Sequence, residues 1–258
     1  MAAHRHGRGA AVVTAVPSPG EHGGDGPAVA RALGLDPSEV LDLSLSLNPC
    51  APDVTSLASR HLESLRHYPD PTTATRLLAE AVGVDQDRLV LTNGGADAIA
   101  LVRAHLGGTV ASEPEFALHP RSGSGPVWRS DPHNPSGRLA AAGEHADIWD
   151  EAFYPLATGR WTADRPALAT VGSLTKLFAC PGLRLGYLVA GEIAPPLWSV
   201  NSLALALLPD LLASAELDKW ARTVAELRTQ LVQLLEEYGY TPEPSDANWV
   251  LLEAPGLR

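Results

Sequence analysis

Six short apolar runs, each followed by a polar or glycine-containing turn, constrain the fold of this chain most strongly. They occupy residues 89–92, 109–112, 126–129, 147–150, 167–171 and 185–190. Apolar runs of this length, bounded by turn signals, are typical of buried strands. Helical or loop segments separate them, which predicts an open α/β sheet. Such sheets bind ligands beyond the carboxyl ends of their strands, where the polar residues of this chain collect.

Outside these runs, the amino-terminal half shows further periodic segments. Residues 40–47 alternate Leu with Asp and Ser, which is the period of a strand. Helices are expected from Asp25 to about Leu33, at 54–66, and at 72–82 behind a proline-rich loop.

The last third is more helical. Residues 198–208 predict an apolar helix that Pro209 should end or kink. Apolar residues at steps of three and four over 216–238 predict a long amphipathic helix with a stripe facing the core. Residues 247–253 would form a strand of a second, smaller domain.

Composition excludes several classes of protein. With 258 residues and 45% hydrophobic content, the chain can bury a sizeable core. Its formal charge of −11 argues against a nucleic-acid or anionic-membrane surface, and no apolar run is long enough to span a bilayer. Cys50 and Cys180 do not make a disulfide framework, so a cytoplasmic location is expected, and no metal site is indicated.

A single lysine in a loop between two predicted strands carries the clearest chemical signal. Residues 173–176 read S-L-T-K and residues 181–187 read P-G-L-R-L-G-Y. An amine in an apolar site is easier to deprotonate, and a neutral amine forms an imine with an aldehyde. Ser173 and Thr175 can donate hydrogen bonds to a phosphate, and Arg184 can pair with it bidentately. The pattern therefore predicts a lysine, Lys176, that carries pyridoxal phosphate, rather than a surface turn with an isolated lysine.

A glycine turn offers a second anion site. Residues 93–97 read N-G-G-A-D between a predicted strand and a predicted helix. Backbone N–H groups at such a helix start bind phosphate, although many such turns carry glycines without any ligand. The turn lacks the G-x-G-x-x-G spacing of dinucleotide-binding proteins, which excludes that class.

Together these motifs resemble the class I/II aminotransferase family of fold-type I pyridoxal-phosphate enzymes. The resemblance runs from residue 22 to about residue 252 and is nearest to the branch of histidinol-phosphate aminotransferase and threonine-phosphate decarboxylase. It includes Y-P-D at 68–70, N-P-S-G at 134–137, D-E-A-F at 150–153 and S-D-A-N-W at 245–249. The resemblance implies a three-layer α/β/α fold around a mostly parallel sheet, with a small, shortened α+β carboxyl-terminal domain.

The resemblance also implies roles for individual residues. Lys176 would form the Schiff base and shuttle the proton, and Asp150 would pair with the pyridine nitrogen and keep it protonated. Helix capping by Asp150, a turn role for Asn134 and core packing by Phe116 are the simpler alternatives. The resemblance also implies that Asn134 donates to the ring hydroxyl and that Phe116 stacks on the ring. The phosphate would be held by Gly95, Ala96, Ser173, Thr175 and Arg184. Tyr68 would reach the phosphate of the cofactor bound by the partner subunit.

The implied assembly is a homodimer with shared active sites, acting on a small amino-acid substrate. The resemblance places His22, Asn48 and Asn248 near that substrate. The reaction is either transamination or decarboxylation of L-threonine O-3-phosphate for cobalamin biosynthesis. Phe153, where many aminotransferases have Tyr, and the amino-terminal segment favour the decarboxylase.

The chain departs from the family in three places. The segments from Phe116 to Asn134 and from Gly137 to Asp150 are compressed, and no arginine matches the one that normally binds the substrate carboxylate. An alternative hypothesis is therefore a degenerate, dimeric cofactor-binding module without turnover. The expected organisation is a disordered tail at 1–20, an amino-terminal arm at 21–48, a cofactor-binding domain at 49–200 and a partial small domain at 201–258.

Overall fold

The computed structural model describes residues 23–253. The chain divides into two compact units, one ending at Ser46 and the other beginning at Leu47. The unit that begins at Leu47 contains the sheet and every motif of the lysine site discussed below.

In the described part of the amino-terminal unit, helix α1 (Gly26–Leu33) ends at Gly34, which has the left-handed conformation. The strand predicted at 40–47 is wrong, because no strand forms there. Asp42 instead accepts hydrogen bonds from the backbone and hydroxyl of Ser44 and from the Gly26 N–H. Such local side-chain bonds compete with strand pairing, and Ser46 leaves the extended region with a φ of 45°.

All six predicted strands form one sheet. They are β1 (Leu89–Thr92), β2 (Thr109–Val110), β3 (Val127–Ser130), β4 (Ile148–Asp150), β5 (Ala169–Ser173) and β6 (Gly186–Ala190). The order across the sheet is β1-β6-β5-β4-β3-β2. Strands β2, β3, β4 and β5 are parallel to one another, while β6 runs antiparallel to both β5 and β1. The mostly parallel α/β sheet is therefore confirmed.

Two hydrophobic clusters lie on opposite faces of this sheet. After α2 (Val54–Ser59), the chain forms α3 (Thr72–Val82) on one face and α4 (Gly95–Leu106) on the other. The residues of β6 alternate between the clusters, with Tyr187 and Val189 on the α3 face and Leu188 and Ala190 on the α4 face. This alternation is what a strand buried on both faces requires.

The remaining helices are α5 (Tyr154–Thr158), α6 (Leu174–Leu177), α7 (Ser202–Ala213) and α8 (Leu217–Glu237). Pro209 lies inside α7 and so does not end the helix, which continues to Ala213. Four leucines of α7 are buried in the α3-face cluster: Leu205, Leu207, Leu208 and Leu211. Each contributes about 1.5–3 kcal/mol, which outweighs the roughly 3 kcal/mol cost of an internal proline.

Two other predicted elements differ. The helix expected at 54–66 is divided into α2 and a 3₁₀ segment, Leu62–Arg66. No strand forms at 247–253. Helix α8 has the predicted amphipathic pattern, but only Trp220 and Val224 are buried, and the stripe becomes exposed from Leu227 onwards.

The connections between the parallel strands β2, β3 and β4 contain no helix. Parallel neighbours are usually joined through a crossover helix. These connections coincide with the compressed segments noted in the sequence. None of the described helices combines the length and apolar character needed to cross a bilayer.

Candidate active site

The site residues meet at one edge of the sheet. Strands β1, β3, β4 and β5 all end there, and the antiparallel β6 begins there. Thr92 and Ser173 both pair with Gly186, so the turn after β1 and the lysine loop after β5 start at the same level. Asp150, the last residue of β4, pairs with Val171 on β5.

The glycine turn and Arg184 form an anion cradle at the start of α4. Gly94 has a φ of 86°, and a methyl group added to it would lie 2.5 Å from Nη2 of Arg184. A methyl group on Gly186 would lie 2.7 Å from the N atom of Gly95. Ser173 faces the same turn, 3.8 Å from its Oγ to the position of a Gly95 methyl. The first amides of a helix, a guanidinium and a hydroxyl suit a phosphate group.

Lys176 lies in α6, directly after β5. Burial, and then the nearby charge of Arg184, lower the pKa of Lys176 below its ordinary value. Its Nζ lies 5.6 Å from the ring centroid of Phe153. The Asn48 N–H donates to the Lys176 carbonyl, and the Asn48 amide donates to the Leu177 carbonyl at 2.8 Å. These bonds fix the backbone that carries the amine.

Not every hydroxyl of the lysine loop faces the cradle. The Thr175 hydroxyl donates to the Leu185 carbonyl at 3.1 Å and accepts from the Leu185 N–H at 3.2 Å. It thus ties the lysine loop to the start of β6, and its contact with phosphate stays a prediction. Cys180 is buried, which raises the pKa of its thiol to about 11 and suits a packing residue.

Asp150 is buried at the end of β4. Its Oδ2 lies 3.1 Å from Nε2 of His119, and its Oδ1 accepts from the Ala152 N–H at 3.0 Å. The His119 ring is enclosed by Phe116, with ring centroids 5.6 Å apart, and by Trp128 at 5.3 Å. His119 and the Ala152 N–H therefore hold the Asp150 carboxylate in one orientation.

Asn134 and Phe116 lie on loops that leave the same edge. The Asn134 N–H donates to Oγ of Ser130, the last residue of β3, at 2.8 Å. Phe116 is half-buried and packs on the α4-face cluster. The structure thus brings the loops of Asn134 and Phe116 to Asp150 and the lysine loop.

The other predicted residues are placed differently. Tyr68 is 80% exposed and its ring lies 4.9 Å from that of Trp198. Asn48 is buried and its side chain is engaged in the lysine loop. Asn248 donates to the Leu47 carbonyl at 3.4 Å, and the adjacent Trp249 packs on Phe153. His22 lies outside the described residues.

The sequence patterns did not predict the buried groups that contact Asp150 and its neighbours, which are His119 and a cluster around Arg165. His119 lies three residues after Phe116 in a segment without helix or strand, so its sequence position does not predict its contact with Asp150. A second cluster lies beside it, where Nη2 of Arg165 contacts Asp131 at 2.6 Å and Glu151 at 2.8 Å. Burial raises the pKa of Glu151 despite that arginine. The Arg165 cluster fixes the turns that follow β3 and β4.

An anion cradle, the half-buried Lys176 and the buried carboxylate of Asp150 thus meet at one edge of the α/β sheet. Residues 127–255, half of the chain, match the family described as aminotransferase class I and II. The chain belongs to this family.

Histidinol-phosphate aminotransferases and a threonine-phosphate decarboxylase are among the similar proteins. Histidinol-phosphate aminotransferase 1 of Dechloromonas aromatica is 25% identical over 88% of this chain and 79% of that protein. Threonine-phosphate decarboxylase of Salmonella typhimurium is 29% identical over 71% of this chain and 67% of its own. Histidinol-phosphate aminotransferase of Sinorhizobium meliloti, solved with pyridoxal-5'-phosphate, superposes with a TM-score of 0.67 at 16% identity, over 80% of this chain and 72% of that one.

The match with the Dechloromonas protein extends over 290 positions, more than the 258 residues of this chain. That relative therefore contains internal segments without a counterpart here, as the helix-free connections between β2, β3 and β4 also indicate.

Proposed function

We propose that this protein is a pyridoxal-phosphate-dependent enzyme that acts on an amino acid or an amino-acid phosphate, with Lys176 as the cofactor-bearing amine. The observation that carries this proposal is the convergence of the anion cradle, Lys176 and Asp150 on one sheet edge. When bound, pyridoxal phosphate supplies an electron sink for a bond at the substrate α-carbon. Its fit to this chain rests on the anion cradle, where a side chain at Gly94 would collide with the Arg184 guanidinium.

Each residue then has a defined task. The Gly95 and Ala96 amides, Ser173 and Arg184 would hold the phosphate. Lys176, whose pKa is lowered, would supply a neutral amine as nucleophile and afterwards carry the proton to or from the substrate α-carbon. Asp150 would hold a proton on the ring nitrogen. Asn134 would donate to the ring hydroxyl, and Phe116 would cover one ring face.

Transamination and decarboxylation share all of these contacts. The relatives named above include a histidinol-phosphate aminotransferase and a threonine-phosphate decarboxylase. We propose L-threonine O-3-phosphate and histidinol phosphate as the substrates to compare. Release of carbon dioxide from the first identifies the lyase, and transfer of the amino group from the second to an oxo acid identifies the transferase.

Borohydride trapping tests the cofactor assignment. The protein is incubated with pyridoxal phosphate, reduced, digested and mapped by mass spectrometry. We expect a pyridoxyl adduct on Lys176 and none on this peptide in Lys176→Ala; Lys219 is an exposed control lysine. An adduct at Lys219 alone would refute the assignment. An adduct at Lys176 without turnover of either substrate would favour the binding-module alternative.

We also propose a homodimer in which Tyr68 reaches the partner's site. Tyr68 and Trp198 form an exposed aromatic pair, and Leu65 and Leu197 are 59% and 83% exposed. A second copy would cover this surface. Mixing Tyr68→Ala with Lys176→Ala should restore up to about a quarter of wild-type activity, because a mixed dimer keeps one intact shared site. Two inactive variants that never complement would contradict shared sites.

A further inference from the structure

We propose that Arg228 of α8 is a positioning residue, which holds residues 245–249 (the 245–249 turn) against the turn that carries Asn134. The inference rests on the proposed function, because Asn134 is one of the residues that would contact the cofactor. The Asn134 turn comprises residues 133–138. Arg228 belongs to none of the motifs that carry the family resemblance.

The first half of the Asn134 turn is fixed by its own backbone and by the sheet. The Gly137 N–H donates to the His133 carbonyl at 2.6 Å. The Asn134 N–H donates to Oγ of Ser130, and the Ser130 hydroxyl donates to the buried Glu115 carboxylate. These bonds place the start of the turn relative to β3, whereas its second half is held by other contacts.

The 245–249 turn holds the second half of the Asn134 turn. The N–H groups of Asp246 and Ala247 both donate to the Gly137 carbonyl, at 2.8 and 3.1 Å. The Asp246 carboxylate accepts from the Leu139 N–H at 2.9 Å. Three hydrogen bonds thus lie between the two turns, on the carboxyl-terminal side of Asn134.

Trp249 extends this contact to the neighbourhood of Lys176. Its indole N–H donates to the Pro135 carbonyl, directly after Asn134, at 2.8 Å. Its ring packs on Phe153, with ring centroids 4.7 Å apart, and the Phe153 ring lies 5.6 Å from Nζ of Lys176. The 245–249 turn therefore contacts both the Asn134 turn and the aromatic ring next to the lysine.

Arg228 attaches the 245–249 turn to α8. Its Nη1 donates to the Asp246 carbonyl at 2.8 Å and to the Ala247 carbonyl at 2.7 Å. Both bonds come from a charged donor, which makes them stronger than bonds between neutral groups. Asp246 and Ala247 are also the residues whose N–H groups hold Gly137, so one guanidinium orients both peptide units.

Apolar packing between α8 and the 245–249 turn is incomplete. An open cavity of about 230 Å³ lies there, and its lining includes Leu227, Leu231, Pro49 and Trp249. Protein interiors are normally close-packed, so a cavity of this size forfeits part of the packing energy. The hydrogen bonds of Arg228 therefore hold the turn where side-chain packing does not. Loss of Arg228 should loosen the 245–249 turn and the Asn134 turn while the sheet stays closed.

Amide hydrogen exchange, followed by NMR in the cofactor-free protein, tests this contact. Three amides report on it: Leu139, Asp246 and Ala247. We expect Arg228→Met to speed their exchange at least about tenfold, because charge-assisted hydrogen bonds that hold the turn are lost. The Asp131 N–H, which donates to the Asp150 carbonyl at 2.8 Å, should exchange as in the wild type.

Two further variants sharpen the comparison. Arg222→Met is the matched control, because Arg222 is an exposed arginine of the same helix, and it should leave all of these amides unchanged. Arg228→Lys keeps a charged donor without the planar fork, so it should speed exchange less than Arg228→Met.

Wild-type exchange at the three amides in a folded Arg228→Met would overturn the proposal. Equal acceleration at Asp131 would also overturn it, because the effect would then be a general loss of stability. If Arg228→Met does not fold, Arg228→Lys decides by the same criteria. Failure of both variants to fold would show that Arg228 serves the fold itself, which also contradicts a positioning role.

Activity separates positioning from a purely structural role. In the loaded enzyme, Arg228→Met should lower kcat at least about tenfold with KM within about twofold, because a displaced Asn134 turn changes the orientation of the reacting groups. An unchanged kcat in the folded variant would overturn the proposal. A wild type without turnover would refute the proposed function but leave the exchange result standing.

Discussion

Replacement of Gly94 by Ala should weaken anion binding at the cradle and also lower the stability of the fold, and the two effects can be measured separately. Gly94 has φ 86° and ψ 169°, a region that side chains with a Cβ rarely adopt. The methyl group would also lie 2.5 Å from Nη2 and 3.0 Å from Cζ of Arg184. Arg184 can move away, because the contact is with the far end of a flexible side chain.

Two effects of different size follow. The backbone conformation costs about 1–3 kcal/mol of unfolding free energy in the variant. Displacement of Arg184 removes a charge-assisted hydrogen bond to a bound phosphate, about 1.5–3 kcal/mol, or roughly tenfold to a hundredfold in Kd. Gly95→Ala is the matched control, because its methyl group would lie 3.5 Å from Cβ of Ser173, an ordinary contact. Alanine in a helix should leave stability equal or raise it by up to about 1 kcal/mol.

Urea unfolding monitored by tryptophan fluorescence measures the first effect in the cofactor-free protein, because Trp128 and Trp149 are buried. Titration with pyridoxal phosphate, with inorganic phosphate as competitor, measures the second. Equal losses of affinity in Gly94→Ala and Gly95→Ala would refute the reasoning, as would a Gly94→Ala variant that binds pyridoxal phosphate like the wild type.

Two further predictions concern Lys176 and α8. The pKa of Lys176 is lowered in the folded protein, so between that lowered pKa and 10.5 the unfolded chain binds more protons than the folded one. The free energy of unfolding therefore rises with pH across this range, and Lys176 destabilises the cofactor-free protein most at pH values below it. The Tm advantage of Lys176→Met should therefore shrink as pH rises towards 10.5, and a constant advantage in scanning fluorimetry would contradict this. Trp220 packs edge-on against Phe178, with ring centroids 5.8 Å apart. Its replacement by Ala should lower the free energy of unfolding by about 3–5 kcal/mol. Leu231→Ala, on the same helix but 41% exposed, should lose less than about 1 kcal/mol in the same urea assay, and equal losses would show that this stripe is covered.

The strands and the lysine loop were predictable because their signals are local. The apolar run of β5 predicts a strand, and the hydroxyl-rich turn that follows it directly predicts the site. The failures have local causes as well. At 40–47 the alternation was real, but Asp42 and Ser44 bond to each other instead of to a neighbouring strand. Pro209 remained inside α7 because the packing of that helix outweighed the backbone rule.

The groups beneath the site could not be predicted in the same way. Glu115, His119, Ser130 and Asp150 come from four positions spread over 36 residues of sequence. The sheet register that aligns Ser130 with Asp150 brings them together. No local pattern encodes that register, so the partners of Asp150 became visible only in three dimensions.

The helix-free connections between β2, β3 and β4 bear on how such a chain could arise. Strand pairing depends on the strands themselves, so a deletion within a connection leaves the positions of Ser130 and Asp150 unchanged. A connection can therefore be shortened while the sheet edge that carries Asp150 keeps its strand register. The layers that cover the sheet and the edge that carries the candidate site can then vary separately under selection.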